Sequence, residues 1–184
     1  MTDDATLVSL VRRGNAVAFR QLVQLHEQLV FHMVHRIVNQ PEDCEDICQE
    51  VFMRVFQKIH LFNFQSKLST WIATIAYRTA LNYVRKEDKH QAAPLEDAIP
   101  VPSLERSALE MLEKKGTYQL VHEQIAELPV HYRTVLTLYH LEEMSLQEIQ
   151  EVTEMPLGTV KNYLFRARKL LKERLEPQLQ SQNL

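Results

Sequence analysis

Ser145-Leu146-Gln147-Glu148-Ile149-Gln150-Glu151-Val152, then Thr153-Glu154-Met155, then Pro156-Leu157-Gly158-Thr159-Val160-Lys161-Asn162-Tyr163-Leu164-Phe165-Arg166-Ala167-Arg168-Lys169 is the stretch that decides the fold. An acidic helix, a short turn and a basic helix follow one another. Ser145 and Glu148 have the spacing of a capping box, which starts the first helix. Pro156 suits the start of the second, where its missing N–H is not needed. At about 100° per residue, Val160, Leu164, Ala167 and Leu171 fall on one stripe, which must be buried. Gly158, Lys161, Asn162, Phe165, Lys169 and Lys172 lie opposite, flanked by Arg166 and Arg168. This is the layout of a helix-turn-helix whose second helix enters the major groove of DNA while the first braces against the backbone.

A solvated cationic face would be the plainer reading of Lys161 to Lys172, and two features weigh against it. Phe165 sits among the basic residues, where it can touch a thymine methyl while Lys161 or Arg166 reads a guanine edge or holds a phosphate. Residues 155–176 carry six basic side chains against two acidic, whereas residues 142–154 carry five acids and no base. Gly158 and Thr159 keep the leading end of the helix slim enough to approach a phosphate backbone.

Composition bounds the rest. A chain of 184 residues has room for one or two compact domains. Only three glycines and frequent 3.6-residue periodicity predict an all-α fold. The formal net charge of −3 implies that basic character is gathered into patches while acidic faces serve another purpose. The start, Met1-Thr2-Asp3-Asp4, lacks the basic and apolar pattern of a signal peptide, and no apolar run reaches spanning length. The expectation is a cytoplasmic protein with reduced cysteines. Cys44 and Cys48 are four apart on a predicted helix, but without a second pair at metal spacing they read as small apolar groups. His32 and His35 lack a third ligand in the same way, so neither metal nor cofactor is expected.

The clearest break runs from Glu87 to Ser103, with Pro94, Pro100 and Pro102 and no periodicity. It divides the chain into an N-terminal domain (1–88), a linker (89–103) and a C-terminal domain (104–184), the last residues from Gln178 reading as a frayed tail. Four helices are predicted in the first domain. One is capped by Asp3 or Asp4 and stops near Gly14, and a second runs from Ala16 to Asn39. A third is opened by Pro41 and reaches Ile59, and a fourth is capped by Ser69 or Thr70 and reaches Lys86.

The third helix has two faces. Ile47, Val51, Phe52, Val55, Phe56 and Ile59 form its core side, while Glu42, Asp46, Gln49, Glu50 and Met53 recur along another. Acids in a first turn favour the helix dipole, but that effect fades before Gln49 and Glu50. The stripe fits docking against a basic protein surface and fits an ordinary solvated face equally well. After it, Phe62-Asn63-Phe64-Gln65-Ser66-Lys67 places two aromatics in an exposed segment. The fourth helix aligns Trp71, Thr74, Arg78, Asn82 and Arg85 away from its apolar stripe of Ile72, Ile75, Ala76, Thr79 and Tyr83. Aromatics beside cations suit single-stranded DNA, which stacks its bases and neutralises its backbone. The competing reading places Trp71 and Phe64 in the core and leaves Phe62 outside.

In this order the motifs resemble the extracytoplasmic-function (group 4) sigma factors of bacterial RNA polymerase, over residues 3–175. Residues Glu42 to Phe52 resemble that family's polymerase-binding helix. Phe62 to Ala76 resembles its −10-reading loop and helix. Leu128-Pro129, Arg133, Glu148-Ile149, Pro156 to Lys161 and Arg166 to Arg168 resemble its −35-binding domain. The resemblance implies an all-α chain of two small domains, a four-helix sigma-2-like domain and a helix-turn-helix sigma-4-like domain, joined by the linker. It implies that Asp46, Gln49, Glu50 and Met53 bind core RNA polymerase. Phe62, Asn63, Phe64, Gln65, Ser66 and Lys67, with Arg78, Asn82 and Arg85, would bind −10 DNA as a single strand and capture a base flipped from the stack. Thr159, Lys161, Asn162, Tyr163, Phe165, Arg166, Arg168 and Lys169 would bind −35 DNA as a duplex. Members of the family are often held inactive by an anti-sigma factor, which implies such a partner here and tethering at the inner membrane through it, with no direct membrane insertion. Gln150 and Glu154 depart from the family's usual small residue and turn glycine.

Two other function classes fit less of the chain. A free-standing helix-turn-helix repressor or activator needs a ligand pocket or dimer interface, and the N-terminal domain offers an aromatic-basic track instead. A nucleic-acid enzyme needs clustered acids at metal spacing, a nucleophile arrangement or a phosphate-cradling glycine loop, and the chain shows none of these patterns.

Overall fold

Asp3 starts the first helix, its carboxylate accepting a hydrogen bond from the Ala5 amide at 3.2 Å. In this computed structural model, which describes residues 3–38, 40–90, 121 and 123–181, helix α1 spans Asp4–Arg12. Gly14 then turns the chain at φ 78°, and Asn15 caps α2 (Ala16–Ile37) by accepting from the Ala18 amide at 3.0 Å. Pro41 opens α3 (Pro41–Lys58); a 3-10 turn at Ile59–Leu61 and a loop lead to α4 (Leu68–His90). Leu7, Leu22, Val30, Met33, Ile37, Val51, Ile59, Leu68 and Ile72 are buried together and hold the four helices. The Tyr83 hydroxyl donates to Asp43 at 2.6 Å and ties α4 to α3.

The C-terminal helices are α5 (Val130–His140), α6 (Leu146–Thr153) and α7 (Leu157–Ser181). Both bonds of the predicted capping box are present, Glu148 N donating to Ser145 Oγ at 3.2 Å and Ser145 N to Glu148 Oε2 at 2.8 Å. Val160, Leu164 and Ala167 are buried and Leu171 half-buried, as their stripe predicts. At the turn, Glu154 adopts the left-handed conformation (φ 60°, ψ 14°) that glycine most easily supplies. Arg133 is buried, and its guanidinium donates to the Ala126 carbonyl at 2.7 Å. Burial, with the neighbouring charge of Arg36, lowers it to about 10. Among the described residues there is no strand.

Several expected boundaries move. Helix α4 begins at Leu68, so Ser69 and Thr70 lie inside its first turn rather than capping it. It continues to His90, two residues into the expected linker. The rest of the linker and the expected start of the second domain, residues 91–120, lie outside the described residues, as do Asn39 and residues 182–184. Helix α2 ends at Ile37, short of the expected Asn39. The expected tail from Gln178 is helical backbone as far as Ser181. Phe56, placed on the core side of α3, is 45% exposed and meets Phe19 edge-on, their ring centres 4.9 Å apart.

The two domains pack on each other. Helix α5 lies against α2 and α6 against α4. Val135, Leu138, Met144, Ile149, Val152, Val160 and Leu164 join the same apolar cluster as the four N-terminal helices. A second cluster of Ile125, Leu128, Leu136 and Ala167 lies wholly in the C-terminal domain.

Candidate functional site

The acidic stripe of α3 is the simplest of three surfaces. Glu42, Asp46, Gln49, Glu50 and Met53 are all exposed, Met53 to 62%, because Ile47, Val51 and Val55 on the opposite face are buried. Glu50 accepts from Arg54 one turn away at 2.9 Å. Between the faces, Cys44 donates to the Gln40 carbonyl at 3.3 Å. Burial pushes the Cys44 and Cys48 thiols up to about 11, so both are protonated at neutral pH. Among the described residues no three His, Cys, Asp or Glu side chains gather to hold a metal.

The second surface is the loop before α4. Here the structure reverses the expectation for its two phenylalanines. Phe62 is 3% exposed and Phe64 is 49% exposed. The Phe62 ring packs on Trp71 at 5.4 Å and on Phe64 at 4.8 Å between centres. Phe62 is therefore a core residue and presents no ring to a base. Phe64 is held outward by a local turn in which Asn63 Oδ1 accepts from the Gln65 amide at 3.2 Å. Its backbone sits at φ 60°, a left-handed conformation that costs a side-chain-bearing residue about 1–2 kcal/mol. Such strain recurs where an outward side chain has a task.

Arg12 was not legible as part of this surface. From the end of α1 its guanidinium donates to the Ile59 carbonyl at 3.2 Å and to the Phe62 carbonyl, and it lies 5.7 Å from the Phe64 ring centre. It fastens the 3-10 turn and the first residue of the loop to the end of α1. Arg12→Ala should cost about 1–3 kcal/mol in chemical denaturation, since two part-buried carbonyls lose a charged donor. Arg12→Lys, with one head group instead of a fork, should recover only part of that loss.

Along α4, Arg78, Asn82 and Arg85 are exposed and Trp71 and Thr74 half-buried, so the predicted stripe forms. Part of it is covered by the other domain. Lys67 Nζ lies 2.9 Å from Glu148, the Thr70 hydroxyl donates to the same carboxylate at 3.4 Å, and Arg78 pairs with Glu154. The Lys67 ammonium, helped by the Ser145 amide and hydroxyl, holds the Glu148 carboxyl at about 2. His32 and Glu142 meet at 2.5 Å where α2 faces the end of α5.

The third surface is the outer face of α7. Lys161, Asn162, Phe165, Arg166, Arg168 and Lys169 are exposed, Phe165 to 68%. Arg168 is braced by His140 at 3.1 Å and by the Tyr139 ring at 5.0 Å. Thr159 is half-buried. Tyr163, expected among the DNA contacts, is also half-buried, stacked on His131 at 6.0 Å and meeting Tyr132 edge-on at 5.1 Å. A Cβ added at Gly158 would meet nothing within 4 Å; its slimness is not demanded by internal packing.

Comparison with known proteins gives both domains a family. Residues 22–90 match Sigma-70 region 2, and residues 118–171 match Sigma-70 region 4. The ECF RNA polymerase sigma factor SigW of Bacillus subtilis is 30% identical over 179 residues, 91% of this chain and 94% of that protein. The RNA polymerase sigma-H factor of Pseudomonas aeruginosa is 32% identical over 190 residues, 96% of this chain and 95% of the relative. In fold, the sigma factor RpoE of Bartonella quintana, solved with the anti-sigma factor NepR, superposes with a TM-score of 0.67 at 20% identity, covering 86% of this chain and 96% of that one. CnrH, solved with the cytosolic domain of CnrY, gives a TM-score of 0.66 at 18% identity, covering 93% and 96%.

Proposed function

The chain belongs to the ECF sigma factors of the sigma-70 family, which bind core RNA polymerase and direct it to promoters, and from that premise we propose how its three surfaces divide the work. Asp46, Gln49, Glu50 and Met53 dock on polymerase, since α3 offers acids and an exposed methionine on one rigid face. Opposite charge on the partner speeds the encounter and fixes the register. Asn63, Phe64, Gln65, Ser66 and Lys67, with Arg78, Asn82 and Arg85, take the melted −10 strand. Phe64 supplies the stacking ring and the cations follow the backbone. Phe62 supports that ring from beneath rather than touching DNA.

Lys161, Asn162, Phe165 and Arg166 read the −35 duplex, with Arg168 and Lys169 on its phosphates and the Thr159 end of α7 facing the backbone. Tyr163 orients this face through its contacts with α5. The observation that carries the reading is the outward placement of Phe165 between Lys161 and Arg166 on a helix whose apolar stripe is already buried. Arg166→Ala should weaken binding to the cognate −35 duplex by about 1–3 kcal/mol and relax preference at one base pair. Measured by competition between duplexes, an equal loss on every sequence would make Arg166 a phosphate contact instead.

An anti-sigma factor is the regulatory partner this reading favours, covering the surfaces that polymerase uses. RpoE, similar in fold, is solved with an anti-sigma factor, and CnrH with the cytosolic domain of CnrY. Among the described residues no helix is long and apolar enough to cross a membrane. The working location is the cytoplasm, with any attachment to the inner membrane made through the anti-sigma factor. No catalytic step is assigned to the chain; the chemistry of RNA synthesis belongs to the polymerase it recruits. The test is formation of a holoenzyme that opens promoter DNA, with Lys67→Ala and Arg78→Ala lowering the opened fraction.

A further inference from the structure

Among the described residues, Arg168 is the one basic side chain of α7 held in place by neutral groups. Lys169 lies 3.9 Å from Glu173, Lys172 lies 3.4 Å from Glu176, and Arg174 lies 3.1 Å from Glu127. Each of those three has a carboxylate beside it that competes with any phosphate. Arg168 instead donates from Nε to Nε2 of His140 at 3.1 Å, and its guanidinium lies 5.0 Å from the centre of the Tyr139 ring. The Tyr139 and His140 rings meet edge-on with 5.0 Å between centres. Two rings without negative charge thus restrain the guanidinium and leave its charge intact.

The hydrogen bond also fixes the state of the imidazole. Arginine has donors only, so Nε2 of His140 accepts and the ring is neutral, with its proton on Nδ1. Partial desolvation of the ring, with the Arg168 charge, lowers His140 below its ordinary value, which keeps the neutral form in place at neutral pH. With Nε engaged, the outer edge of the guanidinium is left over. Nη1 and Nη2 make no hydrogen bond to the described residues, and Arg168 is exposed on the flank of the face that carries Lys161, Phe165 and Arg166. Two parallel donors in a fixed plane match two oxygens of one phosphate.

The contact is not needed to join α5 to α7. Leu136 and Ala167 already share a buried cluster, and Tyr132 meets Tyr163 edge-on at 5.1 Å. An exposed hydrogen bond adds little to such packing. To DNA binding it adds order, because an unrestrained arginine gives up much of its rotamer freedom on meeting a phosphate. A side chain already held in its bound position avoids that cost. We propose that His140 is a positioning residue for −35 DNA: its imidazole nitrogen, backed by Tyr139, sets the Arg168 guanidinium so that Nη1 and Nη2 meet a backbone phosphate. The proposal rests on the reading of Arg168 as a phosphate contact.

The experiment compares the full-length chain with His140→Ala, His140→Gln, Arg168→Ala and His140→Ala/Arg168→Ala. The probe is labelled duplex DNA selected by the wild-type chain from a random-sequence pool, and affinity is read by fluorescence anisotropy across a salt series. The glutamine carbonyl oxygen has much the same reach as Nε2 and accepts the same bond. Arg168→Ala should weaken binding about tenfold, the scale of a charged hydrogen bond, and lower the salt slope by about 1. His140→Ala should weaken it about threefold, the scale of one side chain left to be ordered on binding. His140→Gln should bind within about twofold of wild type, and the double variant should bind no worse than Arg168→Ala alone. Urea midpoints should stay close to that of wild type throughout. Unchanged affinity and slope for Arg168→Ala would remove the phosphate contact, and the proposal with it. If Arg168→Ala weakens binding while His140→Ala binds as wild type, the phosphate contact stands and the positioning role is overturned. Glutamine no better than alanine would overturn it too, as would losses that add in the double variant, since His140 would then act on DNA by itself.

Discussion

Phe62→Ala should lower the unfolding free energy by about 3–5 kcal/mol, the range for truncating a buried phenylalanine, while Phe64→Ala should change it by no more than about 1 kcal/mol. The two residues are neighbours on one loop with the same side chain, and they differ in environment. Phe62 is enclosed by Trp71, Phe64 and the residues around them, so its removal leaves a cavity that a loop pinned by Arg12 cannot collapse to fill. Phe64 loses only a tilted ring contact with Phe62 and a cation near its face, and alanine meets the same left-handed backbone. Function should divide the other way. At a temperature where both variants are folded, Phe64→Ala holoenzyme should open promoter DNA less well than Phe62→Ala holoenzyme, which keeps the stacking ring and loses only its support. Urea titration and a fluorescent-base opening assay check the two halves. Equal destabilisation by both substitutions would contradict the placement of the rings.

The second large effect is expected on polymerase binding. Asp46→Lys with Glu50→Lys replaces two acids on the exposed face of α3, one turn apart, by two bases. Removing one partner of a desolvated charge pair at an interface costs about 2–5 kcal/mol, and reversal adds repulsion, so affinity for core polymerase should fall at least about a hundredfold. The fold should be untouched, because neither side chain contacts the core; Glu50 gives up only its exposed pair with Arg54, a contact worth a few tenths of a kcal/mol. Binding of the full chain to a −35 duplex should stay at the wild-type level. Competition against the wild-type factor for core polymerase gives the first quantity and duplex titration the second. A parallel loss of duplex binding would remove the docking role from α3.

The same two surfaces show what the sequence could and could not convey. The buried stripe of α7 and the exposed stripe of α3 were legible because helical period is a local property, set within a few turns by which positions are apolar. The capping box at Ser145 and Glu148 was legible for the same reason. A loop has no period, so nothing in Phe62-Asn63-Phe64 indicates which ring turns inward; the outcome depends on Arg12, fifty positions away, grasping the Phe62 carbonyl. Phe56 escaped the core side of α3 because it lies at the edge of that face and beside a partly open Phe19. Tyr163 is a DNA contact that the resemblance implies, and its half-buried ring against His131 and Tyr132 on α5 comes from packing between helices, which period does not show. The acidic helix α6 reads from the sequence as the one that braces against the DNA backbone, and only the packing of the two domains shows that Glu148 and Glu154 meet Lys67 and Arg78. Glu154 also carries a turn where glycine would be easier, and its side chain is the one that pairs with Arg78.

Reconstitution with core polymerase tests the central claim most directly. The full-length chain would be added to core polymerase from its own cell and to fragmented chromosomal DNA, and the 5′ ends of the transcripts sequenced. The account predicts a small set of start sites that appear only with the factor, share two sequence elements upstream, and disappear with Asp46→Lys/Glu50→Lys. Transcripts no different from core polymerase alone, alongside tight sequence-specific duplex binding by the free chain, would contradict it and leave a DNA-binding regulator in its place.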